Sequence, residues 1–132
     1  MKKTITVFGS SQPDETDEQY KFAYELGLQL AEKGFNVCTG GFFGITEAVS
    51  KGAVEKGAEA IGITVDHWGG AANKFVTKEI KCNSLFERIN KLIETGDGYV
   101  ILQGGTGTLL ELAAVWELSN KKYGSLKINP IT

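Results

Sequence analysis

The sequence predicts an α/β protein in which a mainly parallel sheet is covered by helices on both faces. Short apolar runs that suit buried strands alternate with longer segments whose apolar residues recur at helical spacing. Glycine-containing turns follow three of these strands, and the 132 residues include 17 Gly but only 2 Pro. Because parallel strands need a helix-length crossover between them, this alternation favours a parallel sheet between helical layers.

The first half of the chain contains three predicted strands and two predicted helices. The first strand covers residues 4–8. The helix after it opens with a capping box in which Thr16 and Gln19 each satisfy a free backbone N–H group, and it ends at Gly34 as a C-cap. The elements that follow are a strand over residues 35–38, a helix over residues 45–56 that Gly57 ends, and a strand over residues 60–65.

The second half begins with the least regular segment, residues 66–77, which we expect to be a flexible loop over one end of the sheet. His67 and Trp68 lie in it, either as surface residues or as contacts to a ligand. A second capping box, Ser84 with Glu87, opens a later helix. The elements predicted beyond the loop are a strand over 77–80, a helix that ends near residue 95, a strand over 99–102, a helix over 108–121, and the start of a strand over 126–131.

Composition and charge narrow the function classes. The length suits a single domain over residues 1–132. The 14 Lys and Arg against 16 Asp and Glu give a net charge of −2 without a basic run, so nucleic acid is not expected as a partner. No apolar run approaches the ~20 residues of a membrane span and no signal peptide is evident, so we expect no membrane association and a cytoplasmic location.

The cysteines and the histidine indicate neither a disulfide nor a metal site. Cys38 and Cys82 are far apart in the chain, and His67 has no nearby Cys or His. We therefore expect two reduced thiols that pack as small hydrophobic side chains. No metal and no cofactor are predicted.

Three turns that follow strands mark the candidate ligand site. Because the carboxyl ends of parallel strands meet at one edge of a sheet, we expect these turns to converge there. The third turn also opens a helix, whose free N–H groups favour a phosphate or a carboxylate. The residues predicted to bind substrate or phosphate are Gly9, Ser10, Ser11, Gly40, Gly41, Gly44, Gly104, Gly105, Thr106, Gly107 and Thr108.

Two charged residues are candidate catalytic residues. Glu111 lies one turn into the helix after the third turn, where a carboxylate can stabilise positive charge or activate water. Alternatively, Glu111 closes a capping box with Thr108. Arg88 lies at the margin of an apolar helix stripe without a carboxylate partner in its own helix, which suits either a solvated residue or bidentate contact to a phosphate or carboxylate. Trp116 falls on the apolar stripe of the last helix and is expected in the core.

Four motifs occur together over essentially the whole chain: Val7-Phe8-Gly9-Ser10-Ser11, Thr39-Gly40-Gly41 with Gly44, Arg88, and Gly104-Gly105-Thr106-Gly107-Thr108 with Glu111. Their order and spacing resemble those of the LOG ("Lonely guy") phosphoribohydrolases, a family often mislabelled as lysine decarboxylases. The resemblance implies a Rossmann-like three-layer sandwich and a homodimer. It implies hydrolysis of the N-glycosidic bond of a nucleoside 5′-monophosphate to free base and ribose 5-phosphate, with Arg88 and Glu111 as the catalytic pair.

The chain departs from the family pattern at several positions. The family usually has proline at the position of Gln103, lysine at that of Ile89 and a small polar residue at that of Phe42. The family also completes a strand and adds a helix beyond the position of Thr132. These departures keep an alternative open, in which the chain is a non-catalytic carrier or sensor of the same superfamily that binds a nucleotide or the molybdenum cofactor.

Overall fold

The computed structural model describes residues 2–66, 71–118 and 129–131. Its strands are β1 (Thr4–Phe8), β2 (Asn36–Thr39), β3 (Ala60–Val65), β4 (Lys78–Cys82), β5 (Gly98–Leu102) and β6 (Asn129–Ile131). Its helices are α1 (Glu18–Glu32), α2 (Ile45–Glu55), α3 (Leu85–Thr95) and α4 (Thr106–Leu118). The strands form one sheet in the order β4-β3-β2-β1-β5-β6, and every neighbouring pair is parallel. The predicted α/β fold with a parallel sheet is confirmed.

Alternate residues of the strands face two separate cores, one on each side of the sheet. Val7 packs in the core that α1 and α2 cover, and its neighbour Phe8 packs in the core that α3 and α4 cover. Val37 and Cys38 divide in the same way on β2. Successive side chains of a strand point to opposite faces, so both faces of this sheet are apolar and helices cover both.

The two predicted capping boxes have different outcomes. At α3, the Ser84 hydroxyl accepts the Glu87 N–H at 3.1 Å, as predicted. At α1 the prediction is wrong, because the helix begins one residue after Asp17 and the Thr16 hydroxyl donates to the Asp14 carboxylate instead. Asp14 offers Thr16 a closer acceptor within the preceding turn, so the hydroxyl is already used before the helix begins.

The last described helix differs from its prediction in start and in buried face. It begins at Thr106, two residues early, and the part of the prediction beyond Leu118 lies outside the described residues. Trp116 is 56% exposed, whereas Val115 is buried against the sheet. Apolar residues of α4 lie on most sides of the helix, so their spacing alone does not predict which of them is buried. Leu109 is also exposed, as is Phe86 on α3; the expected homodimer stays a prediction.

The cysteines follow their prediction, and the flexibility expected of the irregular segment stays a prediction. Cys38 and Cys82 are buried free thiols, and burial raises the pKa of Cys38 to about 12. The described part of the segment expected to be a flexible loop is bonded to the second glycine turn through Asn73. His67 and Trp68 lie outside the described residues. Within those residues, no helix has the length and apolar character needed to cross a membrane.

Candidate functional site

A pocket of about 370 Å³ lies at the carboxyl ends of the strands. It opens above β1 and β5, where the chain changes the direction in which it adds strands, so it occupies the topological switch point of the sheet. The Ser10 N–H donates to the Gln103 carbonyl at 3.3 Å and ties the turns after these two strands together. The lining residues are Val7, Phe8, Gly9, Ser10, Ser11, Gln12, Gly40, Phe42, Thr46, Arg88, Gly105, Thr106, Gly107, Thr108 and Glu111.

Most of the predicted site residues line this pocket, but Gly41, Gly44 and Gly104 do not. These three glycines let the turns pack closely behind the pocket surface. A Cβ on Gly44 would lie 2.5 Å from the Ser10 carbonyl oxygen, and Gly44 has a φ of +68°. A Cβ on Gly104 would lie 2.3 Å from the Thr108 hydroxyl oxygen. Their position therefore fits a role in shaping the pocket.

The N-terminus of α4 forms one wall of the pocket. The Leu109 N–H donates to the Gly105 carbonyl at 3.0 Å, so Gly105 is the residue just before the helix. The N–H groups of the first turn have no acceptor within a helix, and here they belong to the lining residues Thr106, Gly107 and Thr108. Together with the positive end of the helix dipole, they make this wall suitable for an anion.

Arg88 reaches the pocket from α3 and is held by backbone carbonyl groups. Its Nε donates to the Ile63 carbonyl at 2.8 Å and its Nη2 to the Gly40 carbonyl at 3.1 Å. Burial lowers the pKa of Arg88, although the nearby Glu111 raises it. Bidentate contact of Arg88 to a ligand stays a prediction. The carbonyl oxygens of Gly40, just after β2, and of Ile63, within β3, accept hydrogen bonds from two of its nitrogen atoms.

Glu111 faces Arg88 across the pocket. The Glu111 Oε2 lies 3.8 Å from the Arg88 Nη1, a separation that allows an ion pair but is too long for a hydrogen bond. The two side chains are only 14% and 11% exposed. Burial raises the pKa of Glu111 to about 7, while Arg88 lowers it. Thr108 lies inside α4 instead of capping it, so the capping-box alternative for Glu111 does not describe this helix.

Three further residues line the pocket although the sequence did not predict them as site residues: Phe42, Thr46 and Gln12. The Phe42 ring centroid lies 5.7 Å from the Arg88 Cζ, a cation–π distance. Thr46 was missed, although its place in the first turn of a helix after a glycine turn was a usable signal. Gln12 was also missed, and no feature of the sequence distinguished it.

A family model described as the SLOG cluster4 family matches residues 2–130. An uncharacterized protein of Archaeoglobus fulgidus is 32% identical over 123 residues, which is 93% of this chain and 79% of that protein. A probable cytokinin riboside 5′-monophosphate phosphoribohydrolase of Oryza sativa is 27% identical over an alignment of 137 positions that covers 96% of this chain but 55% of the rice protein.

Solved structures include a close match in shape. The molybdenum cofactor binding protein of the phototrophic bacterium Rippkaea orientalis superimposes with a TM-score of 0.78 at 29% identity, covering 100% of this chain and 78% of that protein. The fold is thus shared with a protein named for binding a cofactor, while the rice relative is named for hydrolysis.

Proposed function

Because the chain belongs to the SLOG cluster4 family, we propose that it hydrolyses the N-glycosidic bond of a nucleoside 5′-monophosphate. Water adds across the bond between C1′ of the ribose and the base nitrogen: the hydroxyl goes to C1′ and the proton goes to the base. The products are free base and ribose 5-phosphate. The observation that supports this most is the Glu111 carboxyl group, which is largely shielded from solvent, 3.8 Å from Arg88 and beside the N-terminus of α4.

The phosphate would bind at the N-terminus of α4. There the N–H groups of residues 105–108 favour an anion, and the hydroxyls of Thr106 and Thr108 add two donors. A Cβ on Gly105 or Gly107 would meet nothing within 4 Å, and neither glycine has a positive φ. Neither packing nor a positive φ requires glycine at these two positions, which supports a role in leaving space for a ligand. The ribose would then lie against Glu111, with the base towards Phe42 and residues 71–77.

Glu111 would act on the sugar as the bond breaks. Cleavage of an N-glycosidic bond builds positive charge on the ribose ring, and a fixed carboxylate beside the ring stabilises that charge or accepts a proton from the attacking water. Arg88 favours the charged form of Glu111, because it lowers a pKa that burial raises. We assign Arg88 the role of holding this carboxylate, with the phosphate left to α4.

A second candidate function is that of a carrier that binds a nucleotide or a pterin-type phosphate cofactor without cleaving it. The likeness to the Rippkaea orientalis protein over 100% of this chain favours it. Gln103 and Ile89, where the LOG pattern has proline and lysine, favour it as well. The same pocket and the same anion-binding wall would serve both functions.

The test is release of free base from a panel of nucleoside 5′-monophosphates, with the corresponding nucleosides as substrates that lack the phosphate. We expect release from at least one monophosphate and none from its nucleoside. Glu111→Gln should reduce release by about 100-fold or more, the usual range for loss of a positioned acid–base group. Glu117→Gln is the matched control, since Glu117 is an exposed residue of the same helix.

The outcome decides which of the two candidate functions the pocket has. Release that needs the 5′-phosphate and Glu111, but not Glu117, supports the hydrolase. Binding of a monophosphate without release of base from any member of the panel contradicts the hydrolase and leaves the carrier.

A further inference from the structure

We propose that Asn73 is a positioning residue of the pocket: it holds the segment at residues 40–42, and through that segment it fixes the guanidinium group of Arg88. Asn73 lies in the connection between β3 and β4 and is outside the pocket lining. The inference deepens the proposed function because it concerns the same pocket. Its principal test uses the protein without any ligand.

Asn73 is bonded to the second glycine turn by side chain and backbone. Its Nδ2 donates to the carbonyl oxygens of Phe42 at 2.6 Å and Gly41 at 3.2 Å, and its backbone N–H donates to the Gly41 carbonyl at 2.8 Å. Its Oδ1 accepts the Phe75 N–H at 3.0 Å. The residue is 6% exposed. The carboxamide oxygen therefore bonds within the connection between β3 and β4, and the carboxamide nitrogen bonds to the glycine turn.

The bonded turn is the same segment that contacts Arg88. The Gly40 carbonyl accepts the Arg88 Nη2, and the Phe42 ring lies over the guanidinium group at 5.7 Å. Gly40 leaves no room for a side chain, since its Cβ would lie 2.0 Å from the Arg88 Nη2. A displacement of this turn by a few tenths of an ångström would thus change two contacts of Arg88 at once.

Close packing transmits the position of Asn73 to the turn. A Cβ on Gly41 would lie 3.2 Å from the Gly62 Cα, and a Cβ on Gly62 would lie 2.9 Å from Val76. The turn, β3 and the connection after β3 are therefore in direct contact. Without the Asn73 carboxamide, the Phe42 carbonyl loses its described side-chain donor, and the segment carrying the Phe42 ring is less constrained.

The experiment is a double-mutant cycle with Asn73→Ala, Phe42→Ala and the double variant, read out by NMR hydrogen exchange of the Arg88 Nε–H. This proton is bonded to the buried Ile63 carbonyl, so its exchange reports how firmly the guanidinium group is held. We expect each single variant to accelerate its exchange at least fivefold. We expect the effects of the two single variants to combine less than multiplicatively in the double variant, because Asn73 acts in part through the segment that carries the Phe42 ring.

The matched control is Asn36→Ala, which removes another bond from an asparagine carboxamide to a loop: the Asn36 Oδ1 accepts the Glu59 N–H at 3.0 Å, at the amino end of the sheet. It should change exchange of the Arg88 Nε–H less than twofold. Thermal unfolding of every variant separates loss of stability from loss of positioning, and Asn73→Ser, which keeps a hydroxyl donor, should fall between Asn73→Ala and wild type.

The proposal is overturned if Asn73→Ala leaves the exchange rate unchanged, if the effects of the two single variants multiply in the double variant, or if Asn36→Ala accelerates exchange equally. If Asn73→Ala does not fold, Asn73→Ser and Phe42→Ala decide, and unchanged exchange in Phe42→Ala is sufficient to reject the proposal. A protein that releases no base can still pass this test, so its result and that of the proposed function are separate.

Discussion

The two glycine-rich turns at the pocket differ in what most of their glycines do. In the turn at residues 40–44, a Cβ on Gly40 would lie 2.0 Å from Arg88, and Gly44 combines a φ of +68° with a carbonyl oxygen 2.5 Å from its Cβ position. In the turn at residues 104–108, Gly105 and Gly107 have open space around their Cβ positions and no positive φ. The first turn needs its glycines in order to pack. In the second turn only Gly104 is needed for packing, whereas Gly105 and Gly107 leave space at the surface.

This difference separates glycines that determine the shape of a turn from glycines that leave room for a ligand. A glycine that packing requires says little about a ligand, because its substitution disturbs the fold first. A glycine that nothing in the described structure requires, on the wall of a pocket and at a helix N-terminus, indicates close approach by something outside the chain. Substitutions in the two turns should therefore affect stability and ligand binding in different proportions.

The largest effect is expected from Gly40→Ala, which tests whether the first turn holds Arg88. The new methyl group would force the end of the Arg88 side chain away from the Gly40 and Ile63 carbonyls. We expect a loss of stability of about 1–3 kcal/mol, typical of overpacking, and a loss of base release of about 100-fold or more. Chemical denaturation measures the change in stability, and the base-release assay measures the change in activity. Unchanged release would remove Arg88 from the proposed mechanism.

The next effect concerns pH and the carboxyl group between the two turns. Burial raises the pKa of Glu111 to about 7 from 4.5, so the carboxylate form increases as pH rises towards 7. Base release should therefore rise about tenfold per pH unit below pH 7 and level off above it. A flat profile from pH 5 to pH 8 would contradict the assignment of the ionised form.

Stability should change in the opposite direction over the same range. The folded state binds the Glu111 proton more tightly than the unfolded state, so this group contributes stability that is full below pH 4.5 and is lost as pH rises through 7. The contribution changes by at most about 1.4 kcal/mol per pH unit. Comparing wild type with Glu111→Gln by denaturation at pH 5 and pH 7 isolates this contribution.

The smallest effect is expected from Gly107→Ala, and it distinguishes the second turn from the first. Gly107 lies in the first turn of α4 with a helical backbone and open space, so alanine should raise stability by about 0.4–1 kcal/mol. The same methyl group should weaken binding of adenosine 5′-monophosphate several-fold by calorimetry, and leave binding of free adenine unchanged. Equal monophosphate affinity in both proteins would place the phosphate elsewhere.

Much of the fold could be predicted because the signals are local. The bounds of β1 and β3 match their predictions, and those of β2 differ by one residue, since period-two burial and turn glycines are readable in a short window. The start of α4 and the exposure of Trp116 could not be read in this way. Both depend on which of several apolar residues meets the sheet, and that is decided by packing of distant segments.

For the site, the sequence alone determined the three turns and their common edge, since parallel strands carry their carboxyl ends to one side whatever their order. It also supplied Arg88 and Glu111, through the spacing of a resemblance. Only the tertiary structure decided that Arg88 is held by the carbonyls of Ile63 and Gly40, that Phe42 covers it, and that Asn73 bonds to the same turn. These contacts join residues 25 to 48 positions apart, and no periodicity along the chain encodes which carbonyl a buried side chain will meet.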